Sequence, residues 1–263
     1  MKQDRQTVEA RRASILSVVR ERQKITVEEL ASKFGVSLMT IRRDLRTLED
    51  AGKLGRFHGG ASAGFRTVSD AERVTVSLYR NLVSRYAATL IEPGDRVFIN
   101  GSATALDALE YLKASPVYVF TNNGLAIGRT FPPGVDVTLS GGSLRNAGHI
   151  MTGDCTMRNL LTMHADKAFL GCSGISPNGE ILCDIPTELG VNETMIGHAE
   201  RYYILVDHTK VGKAGTYASF SLETAGCIIT DEKAPPEVLE RLRMLNMQIV
   251  QVGRKDFPDL VGD

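Results

Sequence analysis

Between residues 38 and 48 the apolar side chains of Ile41, Leu45 and Leu48 recur at helical spacing, while Met39, Arg42, Arg43 and Arg46 fall together on the opposite side. Ser37 just before this run is a good N-cap and Gly52 after it suits a left-handed closing residue, so a helix is predicted over residues 38–51. Upstream, Thr26-Val27-Glu28-Glu29 has the form of a capping box and opens a short helix through Leu30, Ala31 and Phe34 that Gly35 ends. Gly35, Val36 and Ser37 then make a tight turn between the two. The result is a helix-turn-helix, whose second helix is the one presented to a major groove. Val8, Ile15, Leu16, Val18 and Val19, set among charges, predict a further helix over residues 7–21 packed behind the pair. The basic, Gly-punctuated run 53–61 is too short for a helix and fits a small β-hairpin, the wing of a winged helix, with a plain exit loop as the alternative.

Residues 62–80 hold few large apolar side chains and read as a linker that turns helical toward Leu78. From Asn81 onward Leu82, Val83, Tyr86, Ala87 and Leu90 recur at helical spacing and stop at Glu92-Pro93-Gly94-Asp95, a strong turn. Strands are then predicted at 97–99, 117–121, 135–139, 167–170, 202–206, 227–230 and 248–252, with helices near 105–112, 125–130, 157–163, 187–199 and 235–245. Such alternation implies a mainly parallel sheet covered on both faces. The predicted class is α/β: a winged helix-turn-helix over residues 1–61, a linker over 62–80, and a Rossmann-like domain over 81–263.

Charge turns this architecture toward a function. The 263 residues carry no net charge, yet residues 1–60 hold 13 Lys and Arg against 8 Asp and Glu, and the remainder holds 18 against 23. The cationic excess lies at the end with the arginine helix, as an electrostatic footprint for nucleic acid requires. A helix needs only its apolar face to pack. Arginines with no carboxylate at the centre of the other face point to a polyanion outside the protein. On this reading Leu38, Met39, Thr40, Arg42 and Arg43 meet base edges, Ser37 just before them belongs to the same DNA-binding set, and Arg46, a turn further on, meets phosphate. Arg56 and His58 of the hairpin touch the backbone or minor groove. Since one such unit reads a half-site, double-stranded operator DNA is expected to meet a homodimer or higher homo-oligomer.

Composition removes other classes. The four cysteines show no C-x-x-C spacing and the histidines no H-x-x-H or H-E-x-x-H spacing, so no metal and no cofactor is expected. Without an apolar run of membrane length or a signal-like N-terminus, no membrane partner is expected, and a cytoplasmic protein with reduced thiols is.

The combination of Val27-Glu28-Glu29-Leu30-Ala31, Phe34-Gly35-Val36-Ser37, Thr40-Ile41-Arg42-Arg43-Asp44-Leu45, Leu48-Glu49, Gly52 and His58-Gly59-Gly60-Ala61 resembles the DNA-binding domain of DeoR-family bacterial transcriptional regulators. That resemblance implies a winged helix-turn-helix repressor of a sugar or nucleoside catabolic operon, controlled by a phosphorylated metabolite.

A second site is expected where parallel strands end and lead into helices. Three loops there have suitable chemistry: Asn100-Gly101-Ser102-Ala103-Thr104, Thr121-Asn122-Asn123-Gly124 and Ser140-Gly141-Gly142-Ser143. With Asp166-Lys167-Ala168-Phe169-Leu170-Gly171, Ser173-Gly174-Ile175, Glu188 and Leu205-Val206-Asp207-His208-Thr209-Lys210 they resemble the DeoR effector domain, which is similar in fold to ribose-5-phosphate isomerase and the coenzyme A transferases. The resemblance implies that Asn100, Gly101, Ser102, Ala103 and Thr104 cradle a phosphate and that Asn122, Asn123, Gly141 and Gly142 line a sugar. It also implies that Asp166, Glu188 and Lys210 face the same cleft.

Two departures from the family pattern stand out. Asn100, Gly101 and Ala103 replace its Asp, Ser and first Thr, and Asn192 and Glu193 replace its Lys-Arg, which implies a different or less anionic effector. Isomerisation needs a carboxylate base and a cation for the enediolate, which Asp166 or Glu188 with Lys210 could formally supply. The same residues serve equally as hydroxyl ligands, so a regulator without catalytic residues is expected and an isomerase with a DNA-binding appendage is the alternative.

Overall fold

The computed structural model describes residues 5–22, 24–50, 54–57, 60–62, 70–145, 149–213, 217–221 and 226–258. They fall into two compact units whose boundary lies between Val74 and Thr75.

The first unit contains α1 (Arg5–Arg22), β1 (Lys24–Thr26), α2 (Val27–Phe34), α3 (Leu38–Asp50), β2 (Gly55–Phe57) and β3 (Gly60–Ser62). The capping box closes as expected: the Glu29 amide donates to Thr26 Oγ1 at 3.2 Å, and the Thr26 amide donates to the Glu29 carboxylate at 2.8 Å. Gly35 ends α2 in the left-handed region at φ 61°. The Thr40 amide then donates to Ser37 Oγ at 3.2 Å, which caps α3. Ile15, Val19, Leu30, Ile41, Leu45 and Leu54 are fully buried in one core. The expected hairpin is present as β2 and β3. Residues 24–26 add a strand the sequence did not announce, with Ile25 opposite Ala61 of β3. A three-residue strand paired with a segment remote in sequence leaves no local periodicity to read. Gly52, the expected closing residue of α3, lies outside the described residues.

The helix α4 (Asp70–Thr89) spans the boundary between the units and starts well before Asn81. Residues 70–80, read as linker, are its first half, while 63–69 lie outside the described residues. The helix packs through Tyr79, Leu82, Val83 and Ala87, all buried.

The chain continues through β4 (Arg96–Ile99), α5 (Ala103–Asp107), β5 (Val117–Thr121), β6 (Val135–Leu139), β7 (Ser143–Arg145), β8 (Ile150–Thr152), α6 (Asp154–Leu161) and β9 (Ala165–Gly171). There follow β10 (Gly174–Ile175), β11 (Glu180–Cys183), α7 (Pro186–Gly197), β12 (Ala199–Leu205), β13 (Tyr217–Ser221), β14 (Gly226–Asp231), α8 (Pro236–Met244) and β15 (Gln248–Val252).

Seven strands form one sheet in the order β15-β14-β12-β9-β4-β5-β6, parallel at every pairing. Successive side chains alternate across it. Val97 and Ile99 pack with Leu82, Val83, Leu106 and Leu109, whereas Phe98 joins Leu160, Val191, Met195 and Leu239 on the other face. Helices therefore cover both faces, as a parallel sheet requires.

The helix expected over residues 125–130 is instead a 3-10 turn over Gly124–Gly128, cut short by glycine at each end and by the prolines that follow. Two antiparallel additions were also not expected: the β7–β8 hairpin and a small sheet in the order β10-β11-β13. Both are built from strands too short to show alternation. Sequence neighbours β5 and β6 lie to one side of β4, and β9, β12, β14 and β15 to the other. The order thus reverses between β4 and β9, and the crevice at their carboxyl ends is the topological switch point. Among the described residues, no helix is long and apolar enough to cross a membrane.

Candidate nucleic-acid interface and ligand cavity

The α3 helix is fixed from inside by a carboxylate. Asp44 is 2% exposed and accepts from Arg11 Nε at 2.7 Å and from Arg12 Nε at 2.8 Å. This acid therefore faces α1, and the opposite side of α3 is left to cations. Arg42 and Arg43 are exposed, and among the described residues neither lies within ion-pair distance of a carboxylate. Beside them Leu38 is 41% and Met39 70% exposed, large apolar groups at the first turn. Ser37 is exposed, with its hydroxyl engaged at 2.9 Å by Thr40 Oγ1. The side chains of Arg46 and Arg56 lie outside the described residues, as does all of His58.

At the switch point the second unit opens a cavity of about 310 Å³, large enough for a small metabolite. Of the residues singled out in the sequence, Asn100, Gly101, Ser102, Ala103, Thr104, Glu188 and Lys210 line it. Arg80 of α4 and Asn192 of α7 line it as well.

Asn100 is buried and uses all of its amide. Its Oδ1 accepts from the backbone of Ser102 at 3.1 Å and of Gly171 at 3.0 Å, and its Nδ2 donates to the Gly171 carbonyl at 2.9 Å and to Asn192 Oδ1 at 3.0 Å. It clamps the loops after β4 and β9 together. The two departures from the family pattern thus touch each other, and a neutral amide pair stands at the floor of the cavity. Gly171 permits the approach, since a Cβ there would come within 2.2 Å of Ser102 Oγ.

Charge is arranged around this floor. Arg80 Nε donates to Thr104 Oγ1 at 3.2 Å, and Lys210 Nζ donates to the Cys172 carbonyl at 2.7 Å. Glu188 sits in the first turn of α7, its Oε1 buried without a hydrogen-bond partner among the described residues. Burial, with the negative charge of Asp184 adding to it, pushes the Glu188 carboxyl up to about 6. Burial also pushes the Cys172 thiol up to about 12, so it offers no thiolate nucleophile. Two cations, the hydroxyls of Ser102 and Thr104 and two carboxylates, Asp184 and Glu188, suit an anionic ligand that also carries hydrogen-bond donors. Among the described residues no group of three or more His, Cys, Asp and Glu is placed to hold a metal ion.

Five expected residues lie elsewhere. Asn122 Nδ2 donates to the Met151 carbonyl at 3.0 Å and Asn123 Nδ2 to the Ser102 carbonyl at 3.1 Å, both from buried positions. They hold the β7–β8 hairpin and the β4 loop in place and do not line the cavity. Gly141 and Gly142 turn the chain at positive φ, and a Cβ on Gly142 would come within 2.3 Å of Thr156 Oγ1. The reason is strand order: the loops bearing these four residues follow β5 and β6, on the side of β4 away from the switch point.

Asp166, expected in the cleft, stands outside it. It is the second residue of β9, at the amino end, roughly 16 Å along the strand from the cavity. There Arg96 grips it through Nη2 at 2.7 Å and Nε at 3.1 Å, hydrogen bonds that hold its carboxyl below the usual range. Arg80 was missed because residues 70–80 were read as linker. Extending the helical period upstream from Leu82 and Val83 to Tyr79 would have placed Arg80 on a helix.

The family model described as a DeoR-like helix-turn-helix domain matches residues 11–64, and the one described as the DeoR C terminal sensor domain matches residues 78–232. The HTH-type transcriptional repressor GlcR of Bacillus subtilis (strain 168) is 32% identical, over 85% of this chain and 88% of its own. The glycerol-3-phosphate regulon repressor of Escherichia coli (strain K12) is 28% identical, over 91% of this chain and 97% of its own. Among solved structures, ribose 5-phosphate isomerase A from Methanocaldococcus jannaschii is similar over 51% of this chain and 54% of its own, at 14% identity and a TM-score of 0.35.

Proposed function

We propose, for a chain that belongs to the DeoR family of DNA-binding transcriptional regulators, that it represses a carbohydrate catabolic operon and answers to a phosphorylated sugar or related metabolite. The observation that carries this reading is the outward face of α3, where Arg42, Arg43, Leu38 and Met39 are exposed while Asp44 is turned inward. Arginines on such a helix pair bidentately with guanine, and apolar side chains beside them meet thymine methyl groups. Operator binding places the chain with the chromosome, in the cytoplasm, and pairing of half-sites calls for a homo-oligomer.

The cavity supplies the other half. Arg80, Lys210, Ser102 and Thr104 suit a phosphate, and Glu188 suits the hydroxyls of a sugar. Of the two acids that could serve an isomerase as base, Asp166 stands at the far end of the sheet, and we read the other, Glu188, as an acceptor for ligand hydroxyls, in keeping with relatives named as transcriptional repressors. The chain is then a regulator and not an isomerase.

Replacing Arg43 by Ala tests the reading. In a binding assay at fixed salt on an operator selected from randomised duplexes, affinity is expected to fall by about 1–3 kcal/mol, with discrimination relaxed at one base pair. Unchanged affinity and unchanged sequence preference would remove α3 from base recognition.

A further inference from the structure

We infer that Arg80 grips the anionic group of the ligand and hands cavity occupancy to the DNA-binding unit along its own helix, an inference that rests on reading the cavity as an anion site. Two basic side chains line that cavity, and they are not equivalent. Lys210 spends one of its three ammonium N–H groups on the Cys172 carbonyl at 2.7 Å and, as a compact charge, presents no planar fork. Arg80 commits only Nε, to Thr104 Oγ1 at 3.2 Å, and among the described residues no partner is found for its two terminal nitrogens. A guanidinium held at Nε keeps a planar fork of donors, the geometry that matches phosphate or carboxylate with two parallel hydrogen bonds. Because Thr104 Oγ1 accepts from Arg80, its own proton is left to donate toward the same anion.

Arg80 also sits where a small displacement has consequences. α4 is fastened to both walls of the cavity. Ser84 Oγ donates to the Thr104 carbonyl at 2.8 Å, in the first turn of α5 just after the β4 loop. Tyr79 meets the ring of His208 edge-on at 5.5 Å, on the loop that carries Lys210. The same helix runs unbroken back to Asp70, past the boundary between the units at Val74 and Thr75. That boundary lies only about 9 Å along the helix axis from Arg80. A ligand shifts a conformational equilibrium only through contacts that differ between states, and a fork on α4 is such a contact on the element leading to the reading head.

Inorganic phosphate is the probe, titrated into the full chain at constant ionic strength with chloride as the control anion. The readouts are the unfolding midpoint and hydrogen exchange along α4. In the wild type, phosphate is expected to raise the midpoint and slow exchange at residues 75–80. Arg80→Gln is expected to need at least tenfold more phosphate for the same shift and to lose the protection of α4. Lys210→Gln is expected to need only a few-fold more. Arg80→Lys keeps charge and stem, guards against misfolding of the Gln variant, and is expected to lose affinity several-fold because the fork is gone. An Arg80→Gln or Arg80→Lys chain that responds like the wild type overturns the grip. Phosphate that protects the cavity loops and leaves α4 unchanged overturns the coupling. A wild type indifferent to phosphate instead overturns the anion site itself, and the inference with it.

Discussion

The two working regions of this chain differ in how their residues are brought together. The recognition face is drawn from residues 37–43, one turn and the start of one helix, whereas the cavity collects Arg80, the 100–104 loop, Glu188, Asn192 and Lys210 from separate elements. A surface presented by one helix depends on that helix being held at one rotation about its axis. A cavity at a switch point depends on the order of strands. The first can be lost by releasing one anchor, and the second only by altering the ligand chemistry of its walls.

Asp44 is where this contrast can be broken hardest. Its carboxylate pairs with both Arg11 and Arg12, whose side chains are 11% and 26% exposed, so Asp44→Asn leaves two partly buried cations with no counter-charge among the described residues. The expected loss is about 3 kcal/mol in the first unit. Urea unfolding should show an early transition for that unit, with the response of the cavity to phosphate retained. A single unshifted transition would mean that the ion pair does not orient α3.

Glu188 sharpens the other side of the comparison, with a smaller effect. Its carboxyl is raised to about 6 from an ordinary value of 4.5, so between those values the folded chain holds the proton more tightly than the unfolded one. Stability therefore falls as pH rises from about 4.5 through 6, and above that the charged carboxylate costs the ligand-free fold roughly 1 kcal/mol after allowance for solvent screening. Glu188→Gln should be more stable than wild type by that amount at pH 8 and lose the advantage near pH 4. A difference that does not vary with pH would show that Glu188 is not held in the environment described.

The same contrast explains what could be read in advance. Ser37, Arg42, Arg43, the capping box at Thr26 and Glu29 and the left-handed Gly35 were all visible, because the residues that cause each feature lie within a turn of one another. The parallel sheet was visible through alternation of strands and helices. Strand order was not, and it decides which loops share a crevice. Asn122, Asn123, Gly141 and Gly142 looked equivalent to the 100–104 loop until β4 was seen to have β9 for its other neighbour. Asp166 is placed in the cleft by the resemblance alone, yet it lies at the amino end of β9, whereas the cavity is at the carboxyl end. Arg80 hid in a stretch whose early turns lack large apolar residues, and the Asn100 to Asn192 contact joins segments that no periodicity relates.

On the proposed function, one chain carries an operator-reading face and a metabolite cavity that answer to each other. Titrating the complex of the full chain and its selected operator with a phosphorylated sugar that raises the unfolding midpoint tests it most directly. Release of the duplex is expected over the same ligand concentrations that saturate the midpoint shift, since linked equilibria must share one coupling free energy. A sugar phosphate that saturates the cavity and leaves operator affinity unchanged would contradict it.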